Sequence, residues 1–75
     1  MRLRKPTKNA RYKNMEGMNF GVYVRYYGTG EEEGFEFDTL PEARLFALDC
    51  VETHKAMYAQ IDDLHTGETI EEYFG

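Results

Sequence analysis

The chain has 75 residues, of which 41% are hydrophobic and 15% aromatic, and its formal net charge at pH 7 is −5. This length allows one small domain and argues against a deep catalytic pocket backed by further layers of residues. The single cysteine, Cys50, excludes an intrachain disulfide and a zinc site of several cysteines. No apolar stretch approaches the roughly 18–20 residues that cross a bilayer, so the sequence predicts a cytoplasmic protein.

The charge is divided between the two ends of the chain. The first thirteen residues contain no acidic side chain and six basic ones, which are Arg2, Arg4, Lys5, Lys8, Arg11 and Lys13. The remaining 62 residues carry the other three basic side chains and all 14 acidic ones, a net charge of −11. Such a division indicates electrostatic contact with a macromolecule rather than a particular fold.

Residues 1–17 are predicted to form a basic, flexible arm. They show no hydrophobic periodicity, and Pro6 disfavours a helix at Lys5. Leu3 and Tyr12 are the two candidate anchors of this segment. We expect the arm to be extended or disordered until it meets a partner, with weak and non-specific contact to nucleic acid through its basic side chains.

Residues 18–75 are predicted to form a small acidic domain that opens with a hairpin. From Phe20 the sequence alternates, as in a strand with two different sides. One side carries Phe20, Val22, Val24 and Tyr26, and the other carries Tyr23, Arg25 and Tyr27. The glycine-rich stretch at 28–34 is typical of a hairpin connection. In the short second strand that follows, Phe35 and Phe37 face one way and Glu36 and Asp38 the other.

The segment Thr39-Leu40-Pro41-Glu42 is a capping box, which predicts a helix from about Leu40 to His54. The apolar stripe of this helix consists of Leu40, Ala43, Ala47, Cys50, Val51 and His54. A third strand then places Met57, Ala59 and Ile61 opposite Tyr58 and Gln60. Residues 62–67 read as a turn and residues 68–73 as a fourth strand. In that strand Ile70 and Glu72 would share the inner face, a conflict that a bulge or an early end would remove.

The order of strand, strand, helix, strand and strand predicts an α+β fold. Two hairpins that flank one helix imply a four-stranded antiparallel sheet with the helix packed on one face.

Residue types that support catalysis or metal binding are scarce. The chain has no serine, and Cys50 lies on the apolar stripe, where a thiol is unreactive. The loop at 28–34 leads into a strand and not into a helix, so it does not predict a phosphate site. Asp62, Asp63, His65 and Glu68 lack the spacing of a calcium loop. We therefore expect no enzymatic activity, no cofactor and no bound metal.

The sheet face away from the helix is the predicted surface for a protein partner with a basic surface. Its predicted contact residues are Tyr23, Arg25, Tyr27, Glu31, Glu32, Glu33, Glu36, Tyr58 and Tyr73, with Gln60 and Glu71 beside them. Tyrosine is enriched at interfaces, although cross-strand pairing in a thin sheet accounts for exposed tyrosines equally well. The glutamates around Arg25 argue against stacking of nucleobases, because they would repel phosphate.

A second candidate surface lies on the outer side of the helix. Leu45 and Leu48 project roughly opposite the apolar stripe, beside Asp49 and Glu52. Two neighbouring leucines on a short helix indicate either ordinary exposed residues or a partner contact.

Three stretches carry a resemblance in topology: FGVYVRYY at 20–27, FDTLPEARLFA at 37–47 and YAQIDDLHTGETIEEY at 58–73. This pattern resembles small phage and mobile-element proteins built as two hairpins around one helix, some of which are anti-CRISPR inhibitors. The resemblance implies a short, acidic, non-catalytic inhibitor, and it assigns no functional residue. The part through FDTLPEAR also resembles the arm-binding domain of phage integrases, from which the acidic stretch EEEGFEFD departs.

The sequence therefore predicts a non-enzymatic, phage-type interaction protein whose acidic surface blocks a basic, nucleic-acid-handling protein of a bacterial host. Two alternatives remain open. One is a small nucleic-acid-binding protein that uses the basic arm, and the other is a structural or assembly component of a virion.

Overall fold

The computed structural model describes residues 12–13 and 15–75, and it contains four strands and one helix. The elements are β1 (Phe20–Tyr26), β2 (Glu32–Phe37), α1 (Leu40–Glu52), β3 (Ala56–Asp63) and β4 (Thr69–Phe74). The strands form one sheet in the order β2-β1-β3-β4, and each neighbouring pair is antiparallel. The predicted ββαββ architecture, with the helix on one face of an antiparallel sheet, is confirmed.

The core lies between the helix and one face of the sheet, which we call the inner face. The alternation of β1 directs Val22 and Val24 to the inner face, where both are fully buried. Ala43 and Ala47 are also fully buried, and small side chains of this kind let the helix approach the strands closely. Phe46 fixes the helix to β2, because its ring centroid lies 4.7 Å from that of Phe35 and 5.2 Å from that of Phe37.

The helix begins where the capping box predicts and ends two residues earlier than expected. The Thr39 hydroxyl accepts a hydrogen bond from the Glu42 amide at 3.4 Å and donates to the Glu42 carboxylate at 3.0 Å. After Glu52, the His54 amide donates to the Val51 carbonyl and the Lys55 amide to the Cys50 carbonyl. This is a Schellman ending, which requires a left-handed residue. His54 takes that position with φ +62° and is exposed, so its predicted place on the apolar stripe is wrong.

The second strand begins earlier than the sequence predicts. Glu32, Glu33 and Gly34 belong to β2 and pair with Arg25, Val24 and Tyr23. The turn between β1 and β2 is therefore shorter than the predicted connection at 28–34. Positive φ angles at Gly28 and Gly30, which glycine adopts without strain, permit it.

Two irregularities decide which side chains of β3 and β4 face the helix. Arg25 pairs with Tyr58 while Tyr26 pairs with Ala56, so Met57 is an extra residue in β3 and is 40% exposed. The expectation that Met57 points into the core is wrong for this reason, and Ala56 is fully buried instead.

The second irregularity lies in β4. Ile61 pairs with Glu71 and Asp62 with Thr69, which leaves Ile70 as an extra residue. Ile70 is 41% exposed. Since residues paired in an antiparallel sheet share a face, this bulge removes the predicted conflict between Ile70 and Glu72 on the inner face.

Candidate functional site

The sheet face opposite the helix, which we call the outer face, binds part of the N-terminal segment. Tyr12 is only 6% exposed, and its hydroxyl donates to Asp62 Oδ2 at 2.7 Å. Its ring lies over Gly21, where an added Cβ would be 2.5 Å from the ring carbons. Glycine therefore leaves the space that the ring fills. Of the two candidate anchors in the sequence, Tyr12 is thus seated on the sheet, while Leu3 lies outside the described residues.

The backbone next to Tyr12 is held by β2. Glu36, which pairs with Gly21, accepts hydrogen bonds from the amides of Lys13 and Met15, each at 2.8 Å. One carboxylate thus binds the amides of two residues of the N-terminal segment. Glu36 is on the outer face as predicted, and in this structure it holds the chain's own backbone.

Asp62, predicted to lie in a turn, is a buried carboxylate of β3 with an exposure of 1%. Besides Tyr12, it accepts hydrogen bonds from Gln60 Nε2 and from the Thr69 hydroxyl, both at 2.8 Å. These donors replace water around the carboxylate and offset the cost of its burial.

The hydrogen bonding continues along the outer face toward the other end of the sheet. The Tyr58 hydroxyl lies 2.6 Å from Gln60 Oε1 and 2.7 Å from Glu72 Oε2. A neutral phenol has one proton, so it donates to one of these oxygens at a time. Tyr58 is therefore oriented by polar contacts while its ring remains half-buried.

Beside this network lies an open groove of about 430 Å³, which we call the outer groove. Its lining consists of Tyr23, Arg25, Met57, Tyr58, Gln60 and Phe74. The rings of Tyr58 and Phe74 are 5.3 Å apart and inclined at 54°, an edge-tilted arrangement that favours aromatic contact. Phe74 is 72% exposed, so the groove presents a large apolar side chain to solvent.

Tyr23 lies on the outer face as predicted, but it is only 6% exposed. Burial raises the pKa of its phenol, and hydrogen bonding to Glu32 adds to the shift. Beside it, Arg25 donates to Glu32 Oε2 at 2.8 and 3.1 Å, so its guanidinium is already bound to a carboxylate. Tyr23 consequently contributes to the packing of the outer face and offers little exposed area to a partner.

The three glutamates of the first hairpin point to different places. Glu31 is exposed in the turn, and Glu32 is on the outer face with Arg25. Glu33 accepts a hydrogen bond at 2.9 Å from Tyr26, whose pKa is raised to about 12 by burial and then by this carboxylate. A smaller depression of about 140 Å³, lined by Tyr23, Glu32, Glu33 and Gly34, lies at this edge of the sheet.

The predicted placement of Tyr73 on the outer face is wrong, and so is that of Glu71. The bulge at Ile70 turns both residues to the inner face, where Tyr73 packs against the core and donates to the Glu71 carboxylate. Arg44 of the helix binds Glu71 Oε2 with two nitrogens at 2.6 and 2.9 Å. Arg44 first, and Tyr73 second, lower the pKa of Glu71.

Tyr27 and the residues of the predicted helix surface are exposed. Tyr27 lies beyond the end of β1, is 43% exposed and has its hydroxyl close to Gly75. On the helix, Leu45 is 71% and Leu48 37% exposed, and Asp49 and Glu52 are exposed beside them. The helix surface therefore exists as an apolar pair between carboxylates, and its role in partner binding stays a prediction.

The basic residues of the arm are mostly outside the described part of the chain. Arg2, Arg4, Lys5, Lys8 and Arg11 fall there, so the predicted flexible arm and its contact with nucleic acid stay predictions. Lys13 is described, and its side chain is exposed.

Cys50 is 5% exposed, and burial raises the pKa of its thiol, which disfavours the nucleophilic thiolate.

Across residues 12–13 and 15–75, no three histidine, cysteine, aspartate or glutamate side chains are grouped so as to hold a metal ion. Within the same residues, no helix has the length and apolar character needed to span a membrane.

Sequence reasoning missed Met57 and Phe74, the two exposed apolar residues of the outer groove. Their exposure depends on the two bulges. The sequence signals these only indirectly, because simple alternation puts the charged Glu72 on the inner face.

Comparison with known proteins found no matching family model, no similar curated protein and no similar solved structure.

Proposed function

We propose that this chain is a non-enzymatic interaction protein that binds a partner with a basic surface through its outer groove. The observation that carries the proposal is the exposure of Phe74 and Met57 next to a Tyr58 ring fixed by hydrogen bonds. Exposed aromatic and methionine side chains inside a rim of carboxylates have the composition of an interface core with a polar border.

The charge of the domain supports a basic partner. Glu72 and Glu32 border the outer groove, and Glu31 lies at the adjoining turn. Carboxylates around an apolar centre attract cationic surfaces and speed association without contributing most of the affinity. A protein that normally handles nucleic acid has such a surface. In the reading we favour, the chain is a phage-type inhibitor that occupies this surface in the cytoplasm of a bacterial host.

The experiment is affinity capture from a bacterial lysate, followed by binding kinetics on the captured protein with variants of the two candidate surfaces. We expect Tyr58→Ala and Phe74→Ala to weaken binding at least tenfold, about 1.4 kcal/mol. Glu31→Lys should lower mainly the association rate, and its effect should fade as salt rises.

The matched control is the helix pair Leu45→Asp with Leu48→Asp, which also alters two exposed side chains of the described surface. It should leave binding unchanged if the outer groove is the interface. Loss of capture by the helix pair with normal binding by Tyr58→Ala and Phe74→Ala would show that the proposed surface is wrong. Capture of an acidic protein with no role in nucleic-acid handling would refute the proposed class of partner.

A further inference from the structure

The outer face binds a peptide segment in this structure, and that segment belongs to the chain itself. Tyr12 occupies the space above Gly21 and reaches the buried Asp62, and Glu36 holds the amides of Lys13 and Met15. Gly21 and Asp62 thus bind a side chain of the N-terminal segment, and Glu36 binds its backbone. Tyr12 is the first described residue, and eleven residues precede it in the sequence.

Open surface adjoins the place where the described stretch ends. Gly34 lies two residues before Glu36 in β2 and on the same side of the sheet, about 6.8 Å away along the strand. It contributes to the small depression beside Glu32 and Glu33, and Tyr23 lines both this depression and the outer groove. An extended segment of eleven residues reaches about 36–40 Å, which is longer than the eight residues of β3 at about 27 Å.

The chemistry of the preceding segment matches this surface. Residues 1–11 contain five basic side chains and no acidic one. Glu32, which also binds Arg25, lines the depression, and the outer groove has aromatic rings beside Glu72. Arginine and lysine bind carboxylates and also lie on aromatic faces. Because Tyr12 tethers the segment, its effective concentration at the groove is about millimolar.

We propose that the outer groove is a binding site for this chain's own basic segment, residues 1–11, which therefore competes for the surface with any basic partner. The inference does not rest on the proposed function, because the site is filled intramolecularly whether or not such a partner exists. A second copy is the poorer occupant, because it brings another strongly acidic domain to the same face.

The test is paramagnetic NMR on the full chain. A nitroxide is attached to Thr7→Cys in a Cys50→Ala background, which keeps every charge of the segment. At low salt, the amide signals of Gly34, Tyr58 and Phe74 should lose more intensity than those of Leu45 and Leu48, relative to the reduced label. At about 1 M salt, where the Debye length is about 3 Å, the difference should shrink to that of a segment held only at Tyr12.

Two charge-reversal pairs locate the site. Glu32→Lys with Glu72→Lys should reduce the intensity loss on the outer face to the level seen at high salt. Asp49→Lys with Glu52→Lys on the helix produces the same change in net charge and should leave the loss intact. Equal broadening of both faces, no broadening at low salt, or equal effects of the two pairs would overturn the proposal. A mixed sample tests for a second molecule. In it, one copy carries the nitroxide without the NMR isotope, and the other carries the isotope without the nitroxide. Broadening of equal size in this sample would show that the segment binds another copy, which would also overturn the proposal.

Discussion

At the scale of single residues, Tyr12, Gly21 and Asp62 form one unit drawn from three parts of the chain. The Tyr12 hydroxyl and the Asp62 carboxylate are 50 residues apart in sequence and 2.7 Å apart in the structure. Asp62 is buried and accepts hydrogen bonds from Tyr12, Gln60 and Thr69, so each of these donors matters to the stability of the carboxylate. The N-terminal segment is thereby bound to the domain at the level of Asp62.

The substitution Gly21→Ala tests this unit. A Cβ at residue 21 would lie 2.5 Å from the Tyr12 ring, so the ring must leave its position or the strand must shift. We expect the free energy of unfolding, measured by urea denaturation, to fall by about 1–3 kcal/mol.

The matched control is the same substitution in a Tyr12→Ala background, where the ring is absent. There alanine should cost little or even stabilise, because it is the better residue within a strand by about 0.5–1 kcal/mol. An equal loss in both backgrounds would show that the Tyr12 ring does not occupy this space in solution.

The sequence indicates Tyr12 as a candidate anchor but not what it binds. Its partners lie in β1 and β3, and Gly21 reads as one more residue of an alternating strand. Only the pairing of Glu36, Gly21 and Asp62 across three strands shows that a flat, side-chain-free position exists there.

At the scale of elements, the ββαββ order follows from local patterns that the sequence displays directly. The alternation of β1, the capping box at Thr39–Glu42 and the glycines of the first turn all act within a few residues. The two bulges are different in kind, because each depends on the register between neighbouring strands. Met57, Tyr73 and Phe74 therefore face opposite to the simple alternation, and so part of the outer groove could not be predicted.

The contact between helix and β4 predicts a dependence of stability on pH. Arg44 and then Tyr73 lower the pKa of Glu71 below its ordinary value of 4.5. A carboxyl group whose pKa is lower in the folded state stabilises the fold above its unfolded pKa, and this contribution is lost as the pH falls through the folded value.

Glu71→Gln should consequently lower the thermal midpoint near neutral pH and lower it less as the pH drops below about 4. The pair is partly exposed and screened by solvent, so the loss should be small. Arg44→Gln should reproduce the same pH profile, because it removes the main cause of the shift. A difference from the parent protein that stays constant between pH 3 and pH 7 would contradict this account of Glu71.

At the scale of the whole molecule, the described residues carry four basic and fourteen acidic side chains. Two of the four basic residues, Arg25 and Arg44, are bound to Glu32 and Glu71. The surface field is therefore negative, which repels nucleic acid and attracts cationic proteins. The basic residues 1–11 are the exception within the chain, and their charge is opposite to that of the domain to which Tyr12 connects them.

The central claim, that the outer groove is the partner-binding surface, is tested most directly by site-specific photo-crosslinking. Phe74 in the groove and Leu45 on the helix provide a matched pair, because they are 72% and 71% exposed on opposite sides of the molecule. Each is replaced in turn by benzoyl-phenylalanine, and the protein is irradiated with its captured partner. We predict a covalent adduct from residue 74 and none from residue 45. An adduct from residue 45 alone would place the interface on the helix and contradict the claim.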